Sequence, residues 1–516
     1  MSRMLTTIFI AFALHANPVP IVDSVPIVQV SETTSAPLQF SVTHNGDGGD
    51  VVSGRLYIML TKGRIPLIGG PNWMNAEPFY SVDVENWVKD TPLIVSDNAR
   101  NMSGTPATIE DGPWKAVAVL RRNQDSCKIA AVGGLYGPGV LFEGDGQTAG
   151  TVELVLDNPV PERDWKLHKN LRLIETNSAL LSEFYSRDVS HGACVIVPDN
   201  YDPNRKEPYP VMYWIGGFGS DHYGGRFMKM MFTASYYDDQ VCRVILNANC
   251  YGGHHVFADS ENNGPRMTAF MDEFIPFLEG KYNLGGSPKK RYLSGHSSGG
   301  WAALWLQIQN PEFFAGVWSL APDPIDFNNF QTADIYAEEG NVLFDTAGNP
   351  RPIARRGEVP VLFATEFVAM DDVIVDGGQI GSFEWAFSPR GDDGRPKKMF
   401  NRETGEVNPE VVEYWKRYDI RKILEENLDT LAPLLSGKIH IIAGGIDTFY
   451  LEQPVIDIGE FFNDNNFDAM IRVIEGGDHG TVFSGQVILE MDEWFAKKNG
   501  LVNNQALLVG PTQPKQ

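Results

Sequence analysis

The stretch RYLSGHSSGGWAALW, from Arg291 to Trp305, sets two adjacent serines among glycines. A serine hydroxyl is a poor nucleophile until a base takes its proton, and that base needs a carboxylate to orient it. Gly295, Ser297 and Gly299 fit the spacing Gly-x-Ser-x-Gly. In a strand–turn–helix setting this spacing marks a sharp turn that exposes a serine above a sheet. It also chooses between the two serines. Ser297 has glycine two residues before and two after, whereas Ser298 has His296 at the earlier position. The expected chemistry is attack of Ser297 on a carbonyl carbon, with the backbone N–H of Ser298 helping to hold the resulting oxyanion at a helix N-terminus.

Such a serine makes demands on the rest of the chain. Behind a turn of this kind the acid and then the histidine follow the nucleophile in sequence. Of ten histidines only His440 and His479 follow Ser297. His440 lies within the apolar run KIHIIAGG and reads as a core residue. His479 lies in the glycine-rich GGDHGTVF, before the last helical segment, and is the expected base. Asp447, in KIHIIAGGIDTFYL, stands just past the end of a strand, at a rim where open sheets bind ligands, and is the expected acid. Asp478, beside the base, is less apt; Asp371, Asp372 and Glu366 stand in reserve. A second oxyanion donor is expected from YPVMYWIGGFGSDHYGG, at the N–H of Phe218 or Gly217. The later rim segment YGGHHVFADSENNGP offers His254, His255, Glu261 and Asn262 as substrate contacts. Its residues lack a recognised ligand spacing, so neither metal nor cofactor is expected.

The elements that must carry these residues are of two textures. Up to about residue 160, alternating runs such as SGRLYIML, WKAVAVLRR and GTVELVLDN are separated by turn residues. They predict an antiparallel β-sandwich over 27–160. NGDGGD, from Asn45 to Asp50, reads as a turn. From about residue 171 to 498, short unbroken apolar runs alternate with helical patterns, which predicts βαβ units and a mostly parallel sheet. Residues 324–436 interrupt that rhythm and are expected to lie over the sheet as an insertion.

Composition bounds the rest. The chain has 516 residues, 43% hydrophobic and 21% charged, as a globular protein does. A net charge of −24 argues against nucleic acid as a partner, because phosphate binding needs a cationic face. Residues 1–16 carry Arg3 and then an apolar run, which predicts a signal peptide and a secreted or periplasmic location. No membrane span is expected in the mature chain, and 499–516 reads as a tail. Cys242 and Cys250, at the ends of one extended run, are too far apart to pair.

With these residues assembled, 171–498 resembles the putative-esterase family of α/β-hydrolases. That family takes in esterase D, feruloyl and acetylxylan esterases, enterochelin-type esterases and mycolyltransferases. The resemblance rests on YPVMYWIGGFG, RYLSGHSSGGWAALW, GGIDTFYL and GGDHGTVF. It implies an α/β-hydrolase fold and an acyl-enzyme on Ser297, with His479 as base and Asp447 as orienting acid. The substrate would be a small-molecule or carbohydrate-linked ester. The chain departs from the family at Gly216-Gly217, where the family usually has His-Gly, and in its long insertion before Asp447. The segment from Phe387 to Trp415 is similar to that of an exported subgroup with an N-terminal β-domain. An acyltransferase, a peptidase or a binding protein on the same scaffold are the alternatives.

Overall fold

The computed structural model describes residues 27–29, 36–63, 68–74, 76–102, 104–163, 165, 168–232, 237 and 239–501. The expected signal peptide, and the tail beyond residue 501, lie outside them.

The N-terminal region contains β1 (Gln39–His44), β2 (Val51–Thr61), β3 (Phe79–Val88), β4 (Leu93–Val95), β5 (Trp114–Arg121), β6 (Gly139–Phe142) and β7 (Thr151–Leu156). The larger sheet runs β6–β5–β2–β3 and the smaller β7–β1–β4. In β7 Val152, Leu154 and Leu156 of TVELVL face inward and alternate with exposed residues, as in a half-buried strand. Phe40, Val42, Val152 and Leu154 of the smaller sheet pack against Leu56, Ile58, Tyr80 and Ala116 of the larger, forming a sandwich core. The pairing is not wholly antiparallel, because β7 runs parallel to β1. These strands are joined through the other sheet, so no hairpin dictates their direction.

The second region contains β8 (Leu171–Asn177), β9 (Ser190–Ile196), β10 (Val211–Ile215), β11 (Cys242–Leu246), β12 (Arg291–His296), β13 (Gly316–Leu320), β14 (Ile439–Gly444) and β15 (Met470–Ile474). They form one sheet in the order β8–β9–β11–β10–β12–β13–β14–β15. β9 is antiparallel to both its neighbours, and the remaining pairs are parallel. The flanking helices used below are α1 (Gly225–Phe232), α2 (Ser298–Gln309), α3 (Ala364–Ile374), α4 (Gln379–Phe387), α5 (Glu452–Asp464) and α6 (Gly485–Asn499). Helices cover both faces. Tyr213, Val244 and Leu293 pack with Trp301 and Leu304 on one face. Met212, Trp214 and Ile245 pack with Phe232, Ile488 and Met491 on the other. Two buried faces explain why the strand sequences are unbroken apolar runs.

The 324–436 segment is more than a cover. Phe387 lies 5.0 Å from Trp301 between ring centroids, and Tyr418 5.7 Å from Trp305, so the segment shares the core of the sheet's helical layer. It also carries the N-terminal region. The outer face of the larger sandwich sheet, through Tyr57, Met59, Phe79, Val117 and Val119, buries Val373 and Ile374 of α3. Ser81 Oγ donates to Val373 O at 2.6 Å and Tyr57 OH to Ile374 O at 2.9 Å. The four cysteines are free and buried. Among the described residues no helix is long and apolar enough to cross a membrane.

Asp376 ties these parts together. Its fully buried carboxylate pairs with Arg55 of β2 at 2.9 Å and with Arg395, and accepts from Tyr251 OH at 3.0 Å. Burial opposes its charge, but Arg395 and Arg55 outweigh burial and hold the carboxyl below its usual range. Its stabilisation is therefore present above the ordinary carboxylate pKa and is lost as pH falls through the depressed one. Asp376→Ala leaves the buried Arg55 without this partner. It is expected to cost about 3–5 kcal/mol, read as a lowered denaturation midpoint at neutral pH.

Candidate active site

Ser297 joins β12 to α2 at φ 59°, ψ −127°. Side chains rarely adopt this conformation, and it is held here by neighbours. Ser297 N donates to Leu320 O at 2.9 Å, and Trp301 N closes the first turn of α2 onto Ser297 O at 3.1 Å. The flanking glycines are sterically required. A Cβ on Gly295 would lie 2.1 Å from the Gly299 carbonyl oxygen, and one on Gly299 would lie 2.1 Å from that of Ile215. Both obstacles are backbone atoms that cannot swing aside.

Asp447 follows β14 and His479 follows β15, so adjacent parallel strands deliver both to the same rim as Ser297. Asp447 Oδ2 and His479 Nδ1 are 2.8 Å apart, and both residues are buried. Asp447 Oδ1 accepts from Phe449 N at 2.8 Å, which fixes the carboxylate. Arg355 Nε donates to the Asp447 carbonyl oxygen at 2.8 Å, which fixes its backbone. Burial disfavours charge on His479. The Asp447 carboxylate, with smaller contributions from Asp323 and Asp478, outweighs this and raises the imidazole above its ordinary pKa. His296 Nε2 donates to the His479 carbonyl oxygen at 2.9 Å; burial pushes this second imidazole down to about 3, so it stays neutral.

The loop after β10 lies against the serine. A Cβ on Gly217 would come within 3.0 Å of Ser297 Cβ. Two hydrogen bonds orient this loop. Val256 N donates to His254 Nδ1 at 3.1 Å, so the proton sits on Nε2, which donates to Gly216 O at 3.0 Å. Ser220 Oγ and Ser220 N both donate to Gly217 O, at 2.5 and 3.1 Å. In a trans peptide the N–H points opposite the C=O. His254 thereby orients the N–H of Gly217, and Ser220 that of Phe218. Ser298 opens α2, where an N–H has no intrahelical acceptor.

Asp323, three residues beyond β13, has no place in the sequence reading. It is buried; its Oδ2 accepts from Ser298 Oγ at 2.5 Å and its Oδ1 from Ser297 Oγ at 3.3 Å. Burial pushes its carboxyl up to about 6. The signal that could have found it is the one used for Asp447, a carboxylate just past a strand end. β13 is also the strand paired beside β12.

The rim residues expected to meet substrate do other work. None of His254, His255, Glu261 and Asn262 lines the cavity over Ser297. His254 supports Gly216 from behind. His255 Nδ1 accepts from Phe257 N at 3.2 Å in the core. Glu261 accepts from Arg390 N and Tyr414 OH, and Asn262 donates to Ser388 O, so both hold the insertion. Among the reserves, Asp371 accepts from Ile380 N and Gly381 N in α4, Asp372 faces Arg402, and Glu366 accepts from Phe363 N. Asp478 accepts from Gly480 N and Thr481 N, and His440 stacks on Trp318 at 4.8 Å. Among the described residues no three His, Cys, Asp or Glu side chains converge as metal ligands would. NGDGGD forms a turn.

A serine on a strained turn after a central parallel strand, with an aspartate and a histidine on later strand ends, defines an α/β-hydrolase fold. Residues 189–360 match the model of the family described as putative esterase. Solved structures of similar shape include a ferulic acid esterase, at 14% identity over 64% of this chain and 98% of that one, with a TM-score of 0.39. An S-formylglutathione hydrolase from Agrobacterium tumefaciens is 15% identical over 64% of this chain and 95% of that one, with a TM-score of 0.39. A fluorophosphonate-binding serine hydrolase of Staphylococcus aureus is 14% identical over 63% and 98%, with a TM-score of 0.38. No curated protein matches the chain significantly.

The glycine contacts give a direct check. Gly299→Ala must push α2 away from β10. The expected outcome is loss of esterase activity, with destabilisation of about 1–3 kcal/mol read as a lowered melting temperature.

Proposed function

We propose that the protein is a serine carboxylic-ester hydrolase that works through an acyl-enzyme on Ser297. The observation that carries the reading is the buried 2.8 Å contact between Asp447 and His479 at the rim that holds Ser297. Asp447 keeps the proton on His479 Nδ1, which leaves Nε2 free to accept the Ser297 proton. The Ser297 oxygen then attacks the ester carbonyl carbon. The negative charge that develops on the carbonyl oxygen is held by Ser298 N–H and by Phe218 or Gly217 N–H, oriented as described above. His479 returns the proton to the departing alkoxide, which leaves as an alcohol. It next takes a proton from water, whose oxygen attacks the acyl carbonyl carbon, and gives that proton to the Ser297 oxygen as the bond to the acyl group breaks and the acid departs. No step calls for a cofactor. In the resting arrangement the Ser297 hydroxyl faces Asp323 across a long 3.3 Å bond, so it must turn toward His479 to react. The apolar leader read in residues 1–16 supports export.

Short p-nitrophenyl esters test this reading, and two carboxylates sharpen the test. Ser297→Ala should abolish turnover. Asp447→Asn should lower kcat by roughly 10⁴-fold, because the amide favours the wrong tautomer. Asp323→Asn should cost less than about tenfold, since an amide can keep one hydrogen bond to the serine pair. Turnover that survives Ser297→Ala would sink the assignment.

The raised pKa of His479 sets the pH dependence. The imidazole must be neutral to act as base, so kcat/KM should fall on the acid side. The half-point should lie above the ordinary histidine value of 6.5. A half-point below that value would show that Asp447 does not govern His479.

A further inference from the structure

The cavity over Ser297, about 540 Å³, is not walled by the hydrolase region alone. Pro71, Trp73 and Met74, from the loop between β2 and β3, and Lys128 and Ile129, from the loop after β5, line it together with Ser297 and His479. These loops are anchored. The Trp73 ring packs 4.9 Å from Phe367 of α3, itself a lining residue. Cys127 N donates to Asn249 Oδ1 at 2.9 Å. Lys128 Nζ meets Asp221 Oδ2, in the loop after β10, at 2.5 Å, and Arg163 meets the other oxygen at 3.1 Å. Beneath them, the sandwich face buries the end of α3.

We infer that the N-terminal β-sandwich is part of the substrate site, and that Trp73 and Met74 grip a bulky apolar group on the ester. This rests on the esterase reading. The chemistry of the wall sets the substrate class. Trp73, Met74 and Ile129 join Phe218, Phe367 and Phe449 in offering apolar surface. Among the described residues the sandwich loops contribute one cation to the wall, Lys128, which is matched by Asp221. A cavity of this size is in the range that encloses drug-sized ligands and far exceeds what an acetyl ester fills. An aryl or medium-chain group, on the acyl or the alcohol side, is the ligand that would use the space.

The test is a ratio measured on the full chain. kcat/KM is determined for p-nitrophenyl acetate against p-nitrophenyl octanoate and cinnamate, and for ethyl acetate against benzyl acetate. The first series reads the acyl side and the second the alcohol side. The wild type should favour the bulky member of at least one series by about tenfold. Trp73→Ala and Met74→Ala should each lower that ratio several-fold, toward the acetate or ethyl value. If Trp73→Ala does not fold, Trp73→Phe and Met74→Ala decide in its place. Ester turnover with no preference in either series, or a preference that folded variants retain, would overturn the inference. Absence of turnover on every ester would instead overturn the esterase reading.

Discussion

Ser297 is held at φ 59°, ψ −127° because α2 begins within one residue of the end of β12. A non-glycine residue so placed costs on the order of 1–3 kcal/mol, and only dense surroundings keep it there. Those surroundings are backbone: the carbonyls of Ile215, Gly216 and Leu320 crowd the turn, where Gly295 of β12 and Gly299 and Gly300 of α2 leave no side chain to intervene. The parallel pairing of β10, β12 and β13 sets where those carbonyls stand. The same close approach brings Gly217 against the serine. The strained serine and the glycine loop packed against it are thus consequences of one packing constraint.

Buried carboxyls of this region differ because their surroundings differ. Asp447 faces an imidazole and a backbone N–H. Asp323 faces two hydroxyls, and burial pushes it up to about 6. Asp376, at the junction with the sandwich, faces guanidinium groups that outweigh its burial. Asp371 has backbone N–H partners from α4, and burial pushes it up to about 7. An identical side chain can thus be a partner to an imidazole, a carboxyl raised by burial, or an ionic bolt. Sequence neighbours say little about which.

The N-terminal sandwich is joined to the hydrolase region by buried apolar contacts as well as charge. Val373 and Ile374 complete a cluster whose other members come chiefly from the sandwich. Arg55 and Arg121 reach across the junction, Arg121 to the carbonyl oxygens of Tyr251 at 2.8 Å and of Asp376. Such an interface holds loops 68–74 and 127–130 in register with Ser297, which a flexible tether could not do.

Much of the architecture was legible in the sequence, because it depends on local rules. Apolar runs without alternation announce strands buried on both faces, and alternating runs announce the sandwich. Glycine at −2 and +2 separates Ser297 from Ser298, because the turn's geometry is set within five residues. Chain order narrows ten histidines to two, and a loop position favours His479 over His440, whose ring stacks on Trp318. What the sequence could not carry depends on residues far apart in the chain. Asp323 reaches the serines only because β13 lies beside β12. His254 turns behind the loop after β10, and Glu261 and Asn262 turn to the insertion, although one loop carries all three. The parallel pairing of β7 with β1, and the place of Trp73 in the cavity wall, follow from how sheets and domains stack. Spacing along a chain decides which backbone turns are possible. Only the packed core decides which side chains from separate turns share a site.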